Sequence, residues 1–171
     1  MKNLRGVLLA AMALSLTICS AAHAEYSVDD LVDAAKRGDY HAVHFLIEGG
    51  TDLEATDPIG STALRWAAMR GHWRILSELV AAGASANAIS WDGGSPLHAA
   101  CHHDHVEAVK LLAEAGADIQ LQNQWGRAPL HVAARRGCLR VAAFLLEAGA
   151  DPNGTTKEGW TPLHVAALSG D

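Results

Sequence analysis

From Gly126 to Asn153 the apolar positions fall in two short helical runs separated by a glycine. Leu130, Val132 and Ala133 give the first run an apolar side, and Val141, Ala142, Leu145 and Leu146 give the second an inward stripe at helical spacing. Gly137 between them suits a left-handed helix end, and Gly149 closes the second run. The same pattern recurs along the chain. The leucines Leu64, Leu97, Leu130 and Leu163 are each 33 residues apart, and Gly60, Gly93, Gly126 and Gly159 keep the same interval. Gly83, Gly116 and Gly149 repeat it after the second run. A fixed period of this length predicts an all-α solenoid of stacked helix-turn-helix units with protruding loops, because neither helix of a unit can bury its apolar face alone.

Each unit carries its own start signals. Thr62, Ser95 and Thr161 offer a hydroxyl at the N-cap position, where unit four has Ala128, and Pro96, Pro129 and Pro162 follow at the first helical position, where a missing N–H costs nothing. The segments GGSPLHAA at 93–100, GRAPLHVAA at 126–134 and GWTPLHVAA at 159–167 resemble the TPLH-type signature of ankyrin repeats. The resemblance extends over most of the chain after residue 24. It implies an ankyrin-repeat solenoid, in which the motif histidines His98, His131 and His164 bond backbone and lock adjacent repeats rather than perform chemistry.

The phase divides the chain into a capping unit at 25–57, units at 58–90, 91–123 and 124–156, and a partial unit at 157–171. In the first unit Leu31, Gly38 and Gly50 are in phase, while Asp29, Asp30, Asp33, Lys36 and Arg37 give its first helix the polarity an end unit needs. The second unit departs most. Ala63 replaces the proline, Arg65 replaces the histidine, and Trp66 and Trp73 are expected as large core fillers. Glu78, in phase with Leu111 and Phe144, is either solvated or paired with a cation. The partial unit leaves Val165 and Leu168 on an apolar edge that a partner or a second copy could cover.

Residues 1–24 fall outside the repeat. Lys2 and Arg5 precede an apolar run from Val7 to Ile18 and a small-x-small site at Ala22-His23-Ala24, the pattern of a secretory signal peptide. The run is too short for a permanent span. Ile18 before Cys19 argues against lipidation. The expected mature chain begins at Glu25 and is exported, to a periplasm or beyond. Loss of Lys2 and Arg5 leaves 11 basic against 19 acidic residues, a net charge of −8, which disfavours nucleic acid as a partner. Cys101 and Cys138 are expected as buried free thiols.

No phosphate loop, nucleophile elbow, HExxH or paired-cysteine motif is present, so neither catalysis nor a cofactor is expected. His102, His103, Asp104 and His105 invite a metal-handling alternative, although Asp104 sits where the chain turns. Partners of ankyrin proteins generally meet the loop tips and the exposed end of the first helix. Carried onto this sequence, those positions nominate Trp91, Trp125, Arg127 and Trp160 at the tips and Arg70, His102, His103, Arg135 and Arg136 at the helix ends. Trp and Arg are the residues most enriched in interface hot spots. The expected function is therefore a protein-protein interaction module, resembling either ankyrin-type immunity proteins that neutralise a toxin or a scaffold supporting an exported enzyme. A basic face on an acidic body suits an acidic patch on the partner, with His102 and His103 adding charge below about pH 6.5.

Overall fold

The computed structural model describes residues 28–170, with side chains from Leu31 onward. The signal-peptide reading of residues 1–24 lies outside the described residues. The helices are α1 (Val28–Arg37), α2 (Tyr40–Glu48), α3 (Ala63–Arg70), α4 (Trp73–Ala81), α5 (Pro96–His102), α6 (Val106–Glu114), α7 (Pro129–Arg135), α8 (Leu139–Glu147) and α9 (Pro162–Ser169). They pair as first and second helices of successive units. First helices pack on first helices in the order α1, α3, α5, α7, α9, and second helices pack on second helices in the order α2, α4, α6, α8. Among the described residues there is no strand, only an isolated bridge between Thr56 and Thr62.

Small side chains set the spacing of the first helices. Ala34, Ala35, Ala67, Ala68, Ala99, Ala100 and Ala133 are buried between them, and Leu31, Leu64, Leu97 and Leu130 fill the core at the repeat interval. Thr62 Oγ1 accepts from the Arg65 N–H at 3.3 Å, and Ser95 Oγ and Thr161 Oγ1 each accept from the histidine N–H three residues on at 3.4 Å. Ala128 has no such oxygen. Its unit keeps the reciprocal bond that Ser95 and Thr161 also make, the Ala128 N–H donating to His131 Nδ1 at 3.3 Å.

Two of the three motif histidines, His98 and His131, tie their unit to the next, whereas among the described residues His164 bonds only Thr161 of its own unit. His98 Nδ1 accepts from the Ser95 N–H at 3.2 Å, so Nε2 carries the proton and donates to the Arg127 carbonyl at 2.9 Å. His131 Nε2 reaches the carbonyls of Gly154 and Trp160, both at 3.1 Å. Burial holds both imidazoles below the usual histidine pKa, which keeps them neutral. Arg65 performs the same tie in unit two with an ion pair. Its Nη1 donates to Ser61 Oγ at 2.7 Å, and its Nη2 meets the Asp92 carboxylate of the next loop at 3.3 Å.

A second contact set sits where first helices end. A Cβ added to Gly38 or Gly71 would lie 2.7 or 2.8 Å from the ring of His72 or His105, one unit further on. Asp104 holds the next equivalent position at φ 57°, and it does carry a Cβ. Cys138, buried, stands where the next His would fall, so the smaller side chain accommodates the larger one beneath it. Cys101 and Cys138 are both free and buried.

Three expectations change. Trp73 is 51% exposed rather than a core filler, because it opens α4 on the outer side, with Arg74 lying over its ring at 5.3 Å. Trp66 does pack against the core, but half-buried, with Nε1–H donating to Asp57 at 2.8 Å. Leu146 points away from the core and is exposed, since no described helix lies over α8 as α8 lies over α6. Of the two readings left open for Glu78, the partner is found: its carboxylate pairs with His44 and raises the His44 pKa, while against the opposing effect of burial the hydrogen bonds from Tyr40 and then His44 lower that of Glu78.

The loops pack as closely as the helices. The Trp91 N–H donates to the Ile59 carbonyl at 3.4 Å, Gln124 to Asp92 at 3.2 Å and Lys157 to Trp125 at 3.3 Å, a ladder from each loop to the one before. Gly126, at φ +71°, has no room for a side chain: a Cβ would lie 2.6 Å from the Lys157 nitrogen. Gly159 has a similar φ of +81° and open space around it. Gly159→Ala should therefore cost only the left-handed strain, about 1 kcal/mol, whereas Gly126→Ala should cost about 3 kcal/mol. Urea unfolding of the two variants measures the difference, and equal losses would contradict the loop ladder.

Candidate protein-binding face

A groove opens on the loop side of units three and four, and one repeat position explains where it lies. Trp66, Ala99 and Val132 occupy the same place in successive first helices. Trp66 fills it in unit two, lying beneath Lys36 at 4.9 Å and Arg70 at 5.7 Å from its ring. Ala99 is too short to fill it and Val132 fills it partly. The result is an open groove of about 340 Å³ whose floor is Met69, Ala99 and Val132 and whose walls include Arg65, Asp92, Trp125, Arg127, Arg135 and Arg136. His102 and His103 line it from the end of α5.

The walls are strongly positive. Arg65 is buried and engaged with Asp92, a carboxylate that also accepts from the Ser90 hydroxyl and, at 3.0 Å, from the Gly94 N–H. Among the described residues, Arg70, Arg127, Arg135 and Arg136 have no carboxylate within ion-pairing distance. This is notable in a chain whose acidic residues outnumber its basic ones. The end of α7 favours cations at Arg135 and Arg136 through the helix dipole, but Arg127 lies in a loop, where no dipole explains it. The Arg127 guanidinium lies over the Trp125 ring at 5.7 Å.

Of the sequence-nominated residues, Trp125, Arg127, Arg135, Arg136, His102 and His103 meet in this groove. Trp160 lines an adjoining hollow that shares Arg127 and Arg135, and its ring stands edge-on to His164 at 5.9 Å. Arg70 and Trp91 fall outside both. Trp91 is 77% exposed, with its ring seated against Gly60 of the preceding loop, where a Cβ would lie 2.5 Å from Trp91 Cδ1. The three tryptophans occupy three different positions of their turns, in phase with Pro58, Ile59 and Ser61 respectively, which separates them across the face. Sequence reasoning missed Arg65, Ala99 and Val132 as groove residues, whereas Met69 and Asp92 fall on the helix-end and loop-tip positions where partners are expected. The signal was there in the loss of His at 65 and in the change from Trp to Ala to Val along one repeat position.

The His102–His105 stretch does not form a metal centre by geometry. His102 Nδ1 lies 3.3 Å from His103 Nε2, and the His103 and His105 rings stack with centroids 6.0 Å apart. Among the described residues, no group of three His, Cys, Asp or Glu side chains is arranged to hold an ion. The groove histidines, expected to add charge below about pH 6.5, have their titration pushed lower still. Burial first, then neighbouring Arg136 and the adjacent histidine, lowers the pKa of His102; burial, His105 and Arg136 lower that of His103. They therefore gain charge below pH 6.5 rather than at it, and the arginines carry the positive field at neutral pH.

A family profile described as ankyrin repeats (3 copies) matches residues 31–123, and one described as ankyrin repeats (many copies) matches residues 112–166. The chain belongs to the ankyrin-repeat family, whose members act as protein-protein interaction modules. No curated protein matches it. No helix among the described residues is long and apolar enough to cross a membrane.

Proton NMR titration checks the electrostatics. His102 and His103 should titrate below the free-histidine value of about 6.5, and Arg136→Gln should raise both midpoints. Midpoints at or above 6.5 in the wild type would contradict the positive groove.

Proposed function

We propose that this chain is an exported protein-binding module that holds a partner protein in the groove of units three and four. The observation that carries the reading is the set of unpaired guanidiniums, Arg127, Arg135 and Arg136, gathered beside Trp125 over an apolar floor in an acidic chain. Unpaired arginines and an exposed tryptophan provide desolvatable charge and area, the two contributions that dominate interface hot spots. Complementary charge accelerates encounter and makes it salt-sensitive. Export rests on the leader pattern at residues 1–24, and a mature protein of intact mass starting at Glu25 in the periplasmic or external fraction would support it.

The partner's role follows from affinity. An inhibitor that neutralises a toxin must hold it tightly, at about nanomolar Kd or below, whereas a scaffold that supports an exported enzyme works at about micromolar. Affinity capture from a periplasmic extract, run beside a Trp125→Ala/Arg127→Ala/Arg136→Ala variant, tests the reading. One protein retained by the wild type and lost by the variant is the expected result. Retention of the same set by both would contradict the groove as the binding face.

A further inference from the structure

The groove's chemistry is specific enough to name what part of a partner it takes. Its two sides differ in charge: on one, Asp92 of unit three and Arg65 of unit two neutralise each other, and on the other Arg127, Arg135 and Arg136 of unit four have no carboxylate partner among the described residues. Between them lies the apolar floor of Met69, Ala99 and Val132, with the Trp125 ring beside it. The Nε–H groups of Arg65 and Arg127 are buried with no acceptor, so both guanidiniums hold donors the fold leaves unused.

We propose that the groove binds an extended peptide segment in which an aspartate or glutamate adjoins an apolar side chain. The carboxylate is taken by Arg127, Arg135 and Arg136, and the apolar neighbour rests on Met69, Ala99 and Val132. This rests on the protein-binding reading above and narrows it. A planar carboxylate matches the guanidinium fork and can be held by two parallel hydrogen bonds. Within the free protein Asp92 already meets one guanidinium nitrogen, Arg65 Nη2, through its two oxygens at 3.3 and 3.4 Å, so this surface already holds a carboxylate against an arginine. The Arg65–Asp92 pair leaves its own side without net positive charge, which sets the orientation: acid toward the arginines of unit four, apolar residue toward unit three. A groove of about 340 Å³ is at the small end for a ligand site, room for a few side chains rather than a folded element.

Display selection of random 12-residue peptides on the immobilised protein tests this. Enriched peptides should carry Asp or Glu next to Leu, Ile, Val, Met, Phe or Trp. Changing that acid to its amide in a synthetic peptide should weaken binding about tenfold or more, as loss of a charge-assisted bond does. Arg127→Gln/Arg136→Gln should show the same loss with a little-changed melting temperature, since neither guanidinium is ion-paired among the described residues. Val132→Phe, which fills the floor, should weaken acidic peptides with a large apolar neighbour more than those with alanine there. Peptides that ignore the double arginine variant yet are lost with Trp125→Ala would overturn the carboxylate assignment and leave the protein-binding reading standing. Peptides indifferent to every groove substitution would overturn both, and no enrichment over bare matrix would also overturn the proposal.

Discussion

The close approach of successive loops is the constraint on which the rest of the molecule depends. A side chain at Gly60, Gly93 or Gly126 would collide with the next loop at 2.5 to 2.7 Å, and only glycine holds their positive φ without strain. Because the approach is that close, the backbone bonds from Trp91, Gln124 and Lys157 can each reach the loop before. The loops then form one edge, and the first helices that hang from them are held in register. His98 and His131 join the same stack from inside, each spending its Nε2–H on a carbonyl of the next unit. Neutral, buried imidazoles suit this work, since a charged ring there would have to be desolvated with no counter-ion.

Once glycine, leucine, alanine and histidine have fixed the stack, a few positions per unit are released from it. One is the floor position of the first helix, which reads Trp66, Ala99, Val132; others are the tip positions flanking the turn glycine. Variation at these places changes the surface directly. Ala99 opens the groove, Arg127 charges it, and Trp125 gives it a flat wall. Arg65 shows how the two roles can overlap, for it keeps the inter-unit tie by pairing with Asp92 while bringing a guanidinium to the groove.

The stack was legible in the sequence because it is periodic. Leucines and glycines at intervals of 33 predicted the helix pairs and the left-handed turn at Gly137, and the family resemblance implied the histidine ties, which the structure contains at His98 and His131, while among the described residues His164 bonds only Thr161 of its own unit. Residues that interrupt the period were harder to place. Trp73 was assigned to the core because aromatics are usually buried, yet its place at the first turn of α4 puts it on the outside. Leu146 lies on a face that α8 presents to no described helix, a property of its neighbours and not of its own spacing. Arg65 looked like a defect in the motif, and its partner Asp92 lies 27 residues away, too far for local pattern to reveal. The groove was half legible: the cationic and aromatic residues were nominated, but its floor comes from a size change across three units.

The central claim is that binding occurs on the loop face of units three and four. Hydrogen–deuterium exchange of the protein with and without its captured partner tests it most directly. Exchange should slow in the loops at 91–95 and 124–128 and at the ends of α5 and α7. Protection confined instead to the second helices α4, α6 and α8 would contradict it.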